Sequence, residues 1–357
     1  LEALAITASS YASGRAMTFF QGAASRPDWQ RARRDGVHCD ITVEHVLAAV
    51  AGLFIDDVII EMVKLDLMRR LPSAPLVAVA FTLLVSSALV LWAGAPVART
   101  YGLLLQGAFG SMFAWSETLT RAVPLILTGL AATVAFKARL FNIGAEGQLY
   151  AGALAAVAVG GLHGGTGLAW PMWLLFPLMM LAAALAGALL LLGSALMKQR
   201  LGVDEVVTTL LLNFIVLLMV SALLDGWMKD PLAMGWPQSV ALQGELELAR
   251  LVEGTRVHTG LLWAVALAVL VGVLFRYTVL GFDIRAVGAN ARAAAFAGVP
   301  VTRTVVLVAL LSGALAGLAG AIEVAGRAGY VTLDMSPGYG YSGIVIAMLA
   351  GLHPLGV

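Results

Sequence analysis

The sequence predicts an all-α fold, a polytopic bundle of transmembrane helices, and three observations carry that expectation. Of 357 residues, 60% are hydrophobic and only 12% are charged, where a soluble domain has about a quarter charged and half apolar. Mean hydropathy is +0.91. The apolar residues gather in long runs, several able to cross a hydrocarbon core of roughly 30 Å. The 22 basic residues lie between those runs, and a net charge of +1 gives no basic surface suited to nucleic acid.

Residues 1–61 differ from the rest of the chain: they are polar, with RARR at 31–34 and an acidic pair at Asp56 and Asp57. Two readings stand for them, upstream sequence translated with the gene or a soluble extension. Their opening stretch has no secretory signal pattern. Met62 is a plausible start, because Lys64, Arg69 and Arg70 then precede the first long apolar run, as the positive-inside rule expects of a cytoplasmic N-terminus. A membrane domain is therefore expected over 62–357. Its spans are predicted near 75–95, 119–136, 149–162, 171–197, 208–224, 259–276 and 304–322. An eighth begins near 343 and is short of a full span at Val357, so the domain is expected to be C-terminally truncated. The weaker segment 100–117, with Gln106, Ser111 and Glu117, predicts a short helix at the outer surface or dipping partway in.

If the spans alternate, Lys137, Arg139, Lys198, Arg200, Arg276, Arg285, Arg292 and Arg303 share the side of the N-terminus. The opposite side then holds the long connection 225–257, whose Trp227 and Trp236 suit a membrane interface and which offers a docking surface to an external partner. In SGALAGLAGA (312–321), Gly313 and Gly317, then Ala316 and Gly320, stand four apart, the spacing of close helix packing.

Enzyme signatures are absent or misplaced. There is no phosphate-binding G-x-x-x-x-G-K-[ST] loop, so ATP hydrolysis by that chemistry is excluded from this chain. GYGYSG (338–343) matches G-x-G-x-x-G but follows Pro337 and runs into an apolar segment, so its glycines are read as freedom at a helix start. HCDITVEH (38–45) has metal-compatible residues without a recognised ligand spacing. The lone Cys39 cannot make an internal disulfide, and His163, His258 and His353 sit at predicted helix ends.

Polar residues inside spans say more, because an ionisable group at membrane depth costs several kcal/mol (about 3 or more) unless it meets a partner or a cavity. Asn213, in TTLLLNFIVLLMV, is read either as an interhelical hydrogen bond or as a solute contact. Glu323 ends a span near Arg327 and is read as interfacial. Glu146 has Asn142, Gly144, Gly147 and Gln148 around it, which predicts a broken helix. That break is either an element of a solute path or a cytoplasmic turn capping the next helix. On the cytoplasmic side, GFDIRAVGANARAAAFAGVP (281–300) predicts a helix of about two turns with Asn290 as N-cap and Gly298 and Pro300 as its stop. Arg292 and Phe296, four apart, share a face. So short a helix needs something to pack against.

Taken in order, FNIGAEGQLYAGALAA, LGVDEVVTTLLLNF, GFDIRAVGANARAAAFAGV and SPGYGYSGIVIAMLAGLHPLGV resemble the permease subunits of ATP-binding-cassette importers for simple sugars and, more closely, for nucleosides. The resemblance covers 62–357 and not 1–61. It implies a transport subunit rather than an enzyme, in the plasma membrane of a prokaryote, with no cofactor of its own and ATP bound by a partner. The implied partners are a cytoplasmic ATPase, a second permease subunit, an extracytoplasmic solute-binding protein and the lipid bilayer. It makes Asn142, Glu146, Gln148 and Asn213 candidates for the solute path. It makes the 281–299 helix the coupling element, with Gly288, Asn290, Ala294 and Gly298 matching the family pattern beside Arg292 and Phe296. The competing class is an ion-coupled secondary transporter in which Glu146 and Glu323 bind protons or cations themselves; the short cytosolic helix favours the importer.

Overall fold

The computed structural model describes residues 74–161 and 171–357. Residues 1–61, the start at Met62, Cys39, HCDITVEH and His163 lie outside the described residues. Among those described, every regular element is a helix, and extended pairing is confined to isolated bridges such as Gln238 with Thr332.

The chain divides into two units, Leu1–Ala95 and Pro96–Val357. In the first, α1 (Ala74–Trp92) is an apolar helix closed by Gly94 at φ +76°. The second opens with α2 (Val97–Phe109), which buries no side chain; the helix expected over 100–117 ends at Phe109, and Glu117 falls in the next helix. Ser111 then accepts the Ala114 N–H at 3.0 Å and caps α3 (Met112–Lys137). This cap starts the helix seven residues before the expected 119, since a cap satisfies backbone donors that would otherwise be orphaned. Beyond Lys137 the chain reverses through Arg139, which is left-handed at φ +56°, and reaches α4 (Ala145–Gly160).

The long α5 (Met172–Leu201) ends at Gly202, left-handed at φ +67°. Asp204 caps α6 (Glu205–Asp225) by accepting the Val206 N–H at 2.8 Å. After the connection 226–259 come α7 (Gly260–Tyr277), α8 (Val279–Ala289), α9 (Ala291–Phe296) and α10 (Val301–Glu323). A π-turn over Val324–Ala328 extends α10, and α11 (Tyr339–Leu349) is the last helix. By length and composition, five helices of the described residues are long and apolar enough to cross a membrane: α3, α5, α6, α7 and α10 with its π-turn. All seven expected spans coincide with helices, but α4, with 16 residues, is only about 24 Å long.

The core forms where α10 packs against α3, α4 and α5. These helices meet backbone to backbone. A Cβ at Gly313 would collide with the Gly187 carbonyl, one at Gly317 with that of Ala183, and one at Gly320 with that of Leu149. The four-residue spacing in SGALAGLAGA thus does what small residues do in lipid, where van der Waals contact rather than apolar burial holds helices together.

The two ends of the bundle differ. At one, Lys198 pairs with Glu205 and donates to the Arg139 carbonyl at 3.4 Å. There too Gln199 donates to the Thr302 carbonyl at 3.2 Å, and Gly288 of α8 lies flush on the Lys137 carbonyl. At the other, the 226–259 connection is tied to the segment after α10. Ser239 and Leu242 donate to the Val331 and Gly329 carbonyls at 3.0 and 2.7 Å, and Leu248 donates to Ala325 at 2.8 Å. Arg256 reaches Glu117 at the start of α3, at 3.6 Å.

Candidate solute path and coupling surface

The break predicted around Glu146 is built by side chains that replace helical hydrogen bonds. Asn142 Oδ1 accepts the Gly144 N–H at 3.0 Å, turning the chain into α4. The Asn142 and Gln148 amides exchange two hydrogen bonds, at 2.9 and 2.8 Å. The second amide proton of Asn142 goes to Ser312 Oγ at 3.1 Å, and that hydroxyl donates to the Ala131 carbonyl of α3 at 2.7 Å. Asn213 Oδ1 accepts the Gly147 N–H at 2.8 Å. Its amide group donates to the Ile143 carbonyl at 2.9 Å and to the Tyr341 hydroxyl at 3.0 Å. In this arrangement Asn213 makes interhelical hydrogen bonds.

A second break faces the first. The chain returns from the π-turn through 329–338, pinned where Tyr150 donates to the Leu333 carbonyl at 2.6 Å. Gly338, left-handed at φ +92°, opens α11. Ser336 Oγ accepts the Tyr339 N–H at 3.0 Å, and Thr128 donates to the Tyr339 carbonyl at 2.9 Å. Glu146, 4% exposed, places its carboxylate on the Gly340 N–H at 2.6 Å. A Cβ at Gly340 would collide with the Glu146 backbone nitrogen, so only glycine lets the two helix starts come this close. Each N-terminus carries partial positive charge, and a carboxylate between them is the favourable occupant.

The depth of this junction follows from its partners. Asn213 stands near the middle of α6 and Ser312 near the middle of α10, so Asn142, Glu146, Gln148 and Asn213 meet inside the bundle, between its two ends. The space beside them, lined by Gly144, Gly147, Gln148, Thr209 and Asn213 among others, is too tight for a water molecule. Further along α4 and α6 a groove of about 470 Å³ opens between alanines of α4, Leu189 and Trp227.

Glu323 pairs with Arg327, the neighbour its sequence position suggested, and the pair is held inside the fold. Glu323 is 1% exposed and bonds Arg327 at 2.5 Å, because the helix continues as a π-turn and keeps both residues inside the fold. The Arg327 guanidinium also reaches the Tyr339 hydroxyl at 3.5 Å. Sequence reasoning passed over Ser312, Thr128, Ser336 and Tyr341. Ser312 stands inside the small-residue run, where its size masked its hydroxyl.

At the basic end, the coupling element expected as one helix is two. Asn290 is extended, at φ −158°, so it terminates α8 and caps α9 in one step. Its Oδ1 accepts the Arg292 and Ala293 N–H groups at 3.0 and 3.1 Å. Ala294 is the buried residue of α9, Arg292 is exposed, and Phe296 is 96% exposed. Gly298, left-handed at φ +87°, ends the element, while Gly288 seats α8 on α3.

Helices of spanning length, two broken segments that meet inside the bundle, and a short capped helix pair at the basic end define a multi-pass membrane transport subunit. Residues 114–357 match the family described as the branched-chain amino acid transport system / permease component, and the chain belongs to that family. It is 35% identical over 286 residues to the guanosine ABC transporter permease protein of Bacillus subtilis, covering 79% of this chain and 80% of that one. It is 41% identical over 259 residues to the glucose ABC transporter permease protein of Haloferax volcanii, covering 70% and 67%. It is 31% identical over 299 residues to the nucleoside ABC transporter permease protein of Lactococcus lactis, covering 79% of each. No solved structure matches it. The chain is thus the permease of an ABC transporter and not an enzyme, ATP hydrolysis belonging to a separate subunit.

Proposed function

We propose that this chain, paired with a second permease subunit, forms the path of a nucleoside or ribose-like sugar across the plasma membrane of a prokaryote, its N-terminus cytoplasmic. A cytoplasmic ABC ATPase binds the ATP and drives the cycle, and an extracytoplasmic protein delivers solute to the 226–259 face. The supporting observation is the buried junction of the two broken segments. Backbone that leaves the helical state at membrane depth is tolerated where protein buries it or where it lines a cavity, and here it gathers amides and a carboxylate suited to hydroxyl and amine groups. Asn142, Glu146, Gln148 and Asn213 are the residues that meet the solute when the junction opens. The names of the relatives, for guanosine, nucleoside and glucose permeases, favour a neutral polyhydroxylated solute.

Coupling is proposed at α8 and α9. Gly288, Asn290, Arg292, Ala294, Phe296 and Gly298 hold a short, rigid helix with an exposed aromatic side chain, the shape an ATPase groove can grip. The chain's part in the cycle is to make different contacts in its inward-open and outward-open states.

Proteoliposomes containing this permease with its ATPase and binding protein test the proposal. ATP-dependent uptake of labelled guanosine or ribose, competed by the unlabelled solute, supports it. Uptake by the permease alone under an imposed proton gradient, indifferent to ATP, overturns it.

A further inference from the structure

In an ATPase-driven permease, the reading on which this proposal rests, movement at the basic end has to reach the buried junction. The helix that leaves the coupling pair is α10, and the connection has little slack. Val299 N–H bonds the Ala294 carbonyl at 2.9 Å, Val301 bonds Val299 at 2.9 Å, and Thr304 bonds Pro300 at 2.9 Å. Gly298 and Pro300 bracket this turn, with Pro300 at the N-cap of α10. A displacement of α9 is therefore carried by α10 as a rigid rod rather than absorbed in a loop.

Along that rod, Ser312 lies roughly 18 Å from Pro300 at 1.5 Å per residue. Beyond it, Gly313, Gly317 and Gly320 lock α10 onto the backbones of α5 and α4. Ser312 is fully buried and its hydroxyl acts twice, as donor to the Ala131 carbonyl and as acceptor from Asn142. Asn142 in turn holds Gln148 and the Gly144 N–H at the start of α4. One hydroxyl thus joins α10 and α3 to the non-helical segment whose geometry sets α4 and, through Glu146, the start of α11.

We infer that Ser312 is a positioning residue that couples the ATPase-driven displacement of α10 to the opening of the Asn142–Gln148 junction. It acts through Asn142. Alanine removes both bonds and leaves an Asn142 N–H buried without a partner, whereas threonine keeps the hydroxyl. A residue that serves only packing would lower stability and every activity together; a coupling residue changes the ratio of uptake to hydrolysis.

The test uses the assembled transporter of permease, ATPase and binding protein in proteoliposomes, with labelled guanosine or ribose. Wild type, Ser312→Ala and Ser312→Thr are compared for solute taken up per ATP hydrolysed, solute KM and melting temperature. The expected result is that Ser312→Ala assembles and hydrolyses ATP within about twofold of wild type, with unchanged KM, while solute per ATP falls tenfold or more. In Ser312→Thr most of the ratio returns. An unchanged ratio in Ser312→Ala overturns the inference, as does a parallel loss of uptake, hydrolysis and melting temperature in both variants. Absence of ATP-driven uptake in the wild-type assembly overturns the transport reading, and this inference with it.

Discussion

Glu146 and Gly340 are 194 residues apart and joined by a 2.6 Å hydrogen bond from the Gly340 N–H to the Glu146 carboxylate. The bond binds the first turn of one broken span to the first turn of the other, so both helices begin from one point. A donor at the N-terminus of a buried helix has no intrahelical partner, and leaving it unpaired costs about 1–3 kcal/mol. Glu146→Gln retains an acceptor oxygen and is expected to lose uptake by a few-fold, with melting temperature nearly unchanged. Glu146→Ala is expected to lower melting temperature by several degrees and uptake by tenfold or more. Normal uptake in both variants at normal expression would remove Glu146 from the path.

Glycine positions give a matched pair. Gly317 has no room for a methyl, because its Cβ would meet the Ala183 carbonyl, whereas a Cβ at Gly193 on α5 meets nothing within 4 Å. Gly317→Ala is expected to force α10 away from α5 and cost about 1–3 kcal/mol. Gly193→Ala is expected to be neutral or to stabilise by about 0.5–1 kcal/mol through helix propensity. Thermal unfolding in detergent decides, and similar melting temperatures for the two variants would refute the packing argument.

Much of this architecture was legible because membrane helices announce themselves by composition. Each apolar run became a helix, and the amides and glycines of FNIGAEGQ marked the break. The partner of Glu146 was not legible, because which helix N-terminus lies opposite is fixed by packing and not by local pattern. Ser312 was hidden for a related reason: beside Gly313 and Gly317 it reads as one more small residue, and only the fold shows its hydroxyl bridging Asn142 and Ala131. The burial of Glu323 was not legible, because a span's hydropathy marks where apolar sequence stops, whereas the backbone runs on as a π-turn to Ala328. That continuation keeps its carboxylate buried against Arg327. The split at Asn290 was half visible, since the N-cap was expected and the termination of the preceding helix by the same residue was not.

Asn290 gives a prediction at the coupling surface. Its side chain satisfies two N–H groups of a six-residue helix, which has little stability of its own. Asn290→Ala is expected to cost about 1 kcal/mol, concentrated in α9, and to weaken co-purification of the ATPase. Asn290→Asp keeps the acceptor and is expected to retain assembly. Phe296→Ala is expected to reduce solute-stimulated ATP hydrolysis without lowering melting temperature, since the ring is exposed. Full stimulation in Phe296→Ala would place the ATPase contact elsewhere.

His258 sets a pH dependence. It precedes α7, is 1% exposed, and its Nδ1 accepts the Gly260 N–H at 3.2 Å, which leaves the proton of the neutral ring on Nε2. Burial pushes the imidazole pKa down from its usual 6.5, because the charged ring would be poorly solvated and would lose Nδ1 as an acceptor. The unfolded chain therefore binds this proton at a higher pH than the folded protein does. The stabilising difference is complete above about pH 6.5 and is lost as pH falls below it, by up to about 1.4 kcal/mol per unit until the folded pKa is reached. Melting temperature is expected to be level above about pH 7 and to fall over the interval below about pH 6.5. A His258→Gln variant, which has no ionisable ring, should show a shallower fall over that interval. An equal slope in the two proteins would assign the acid sensitivity to other groups.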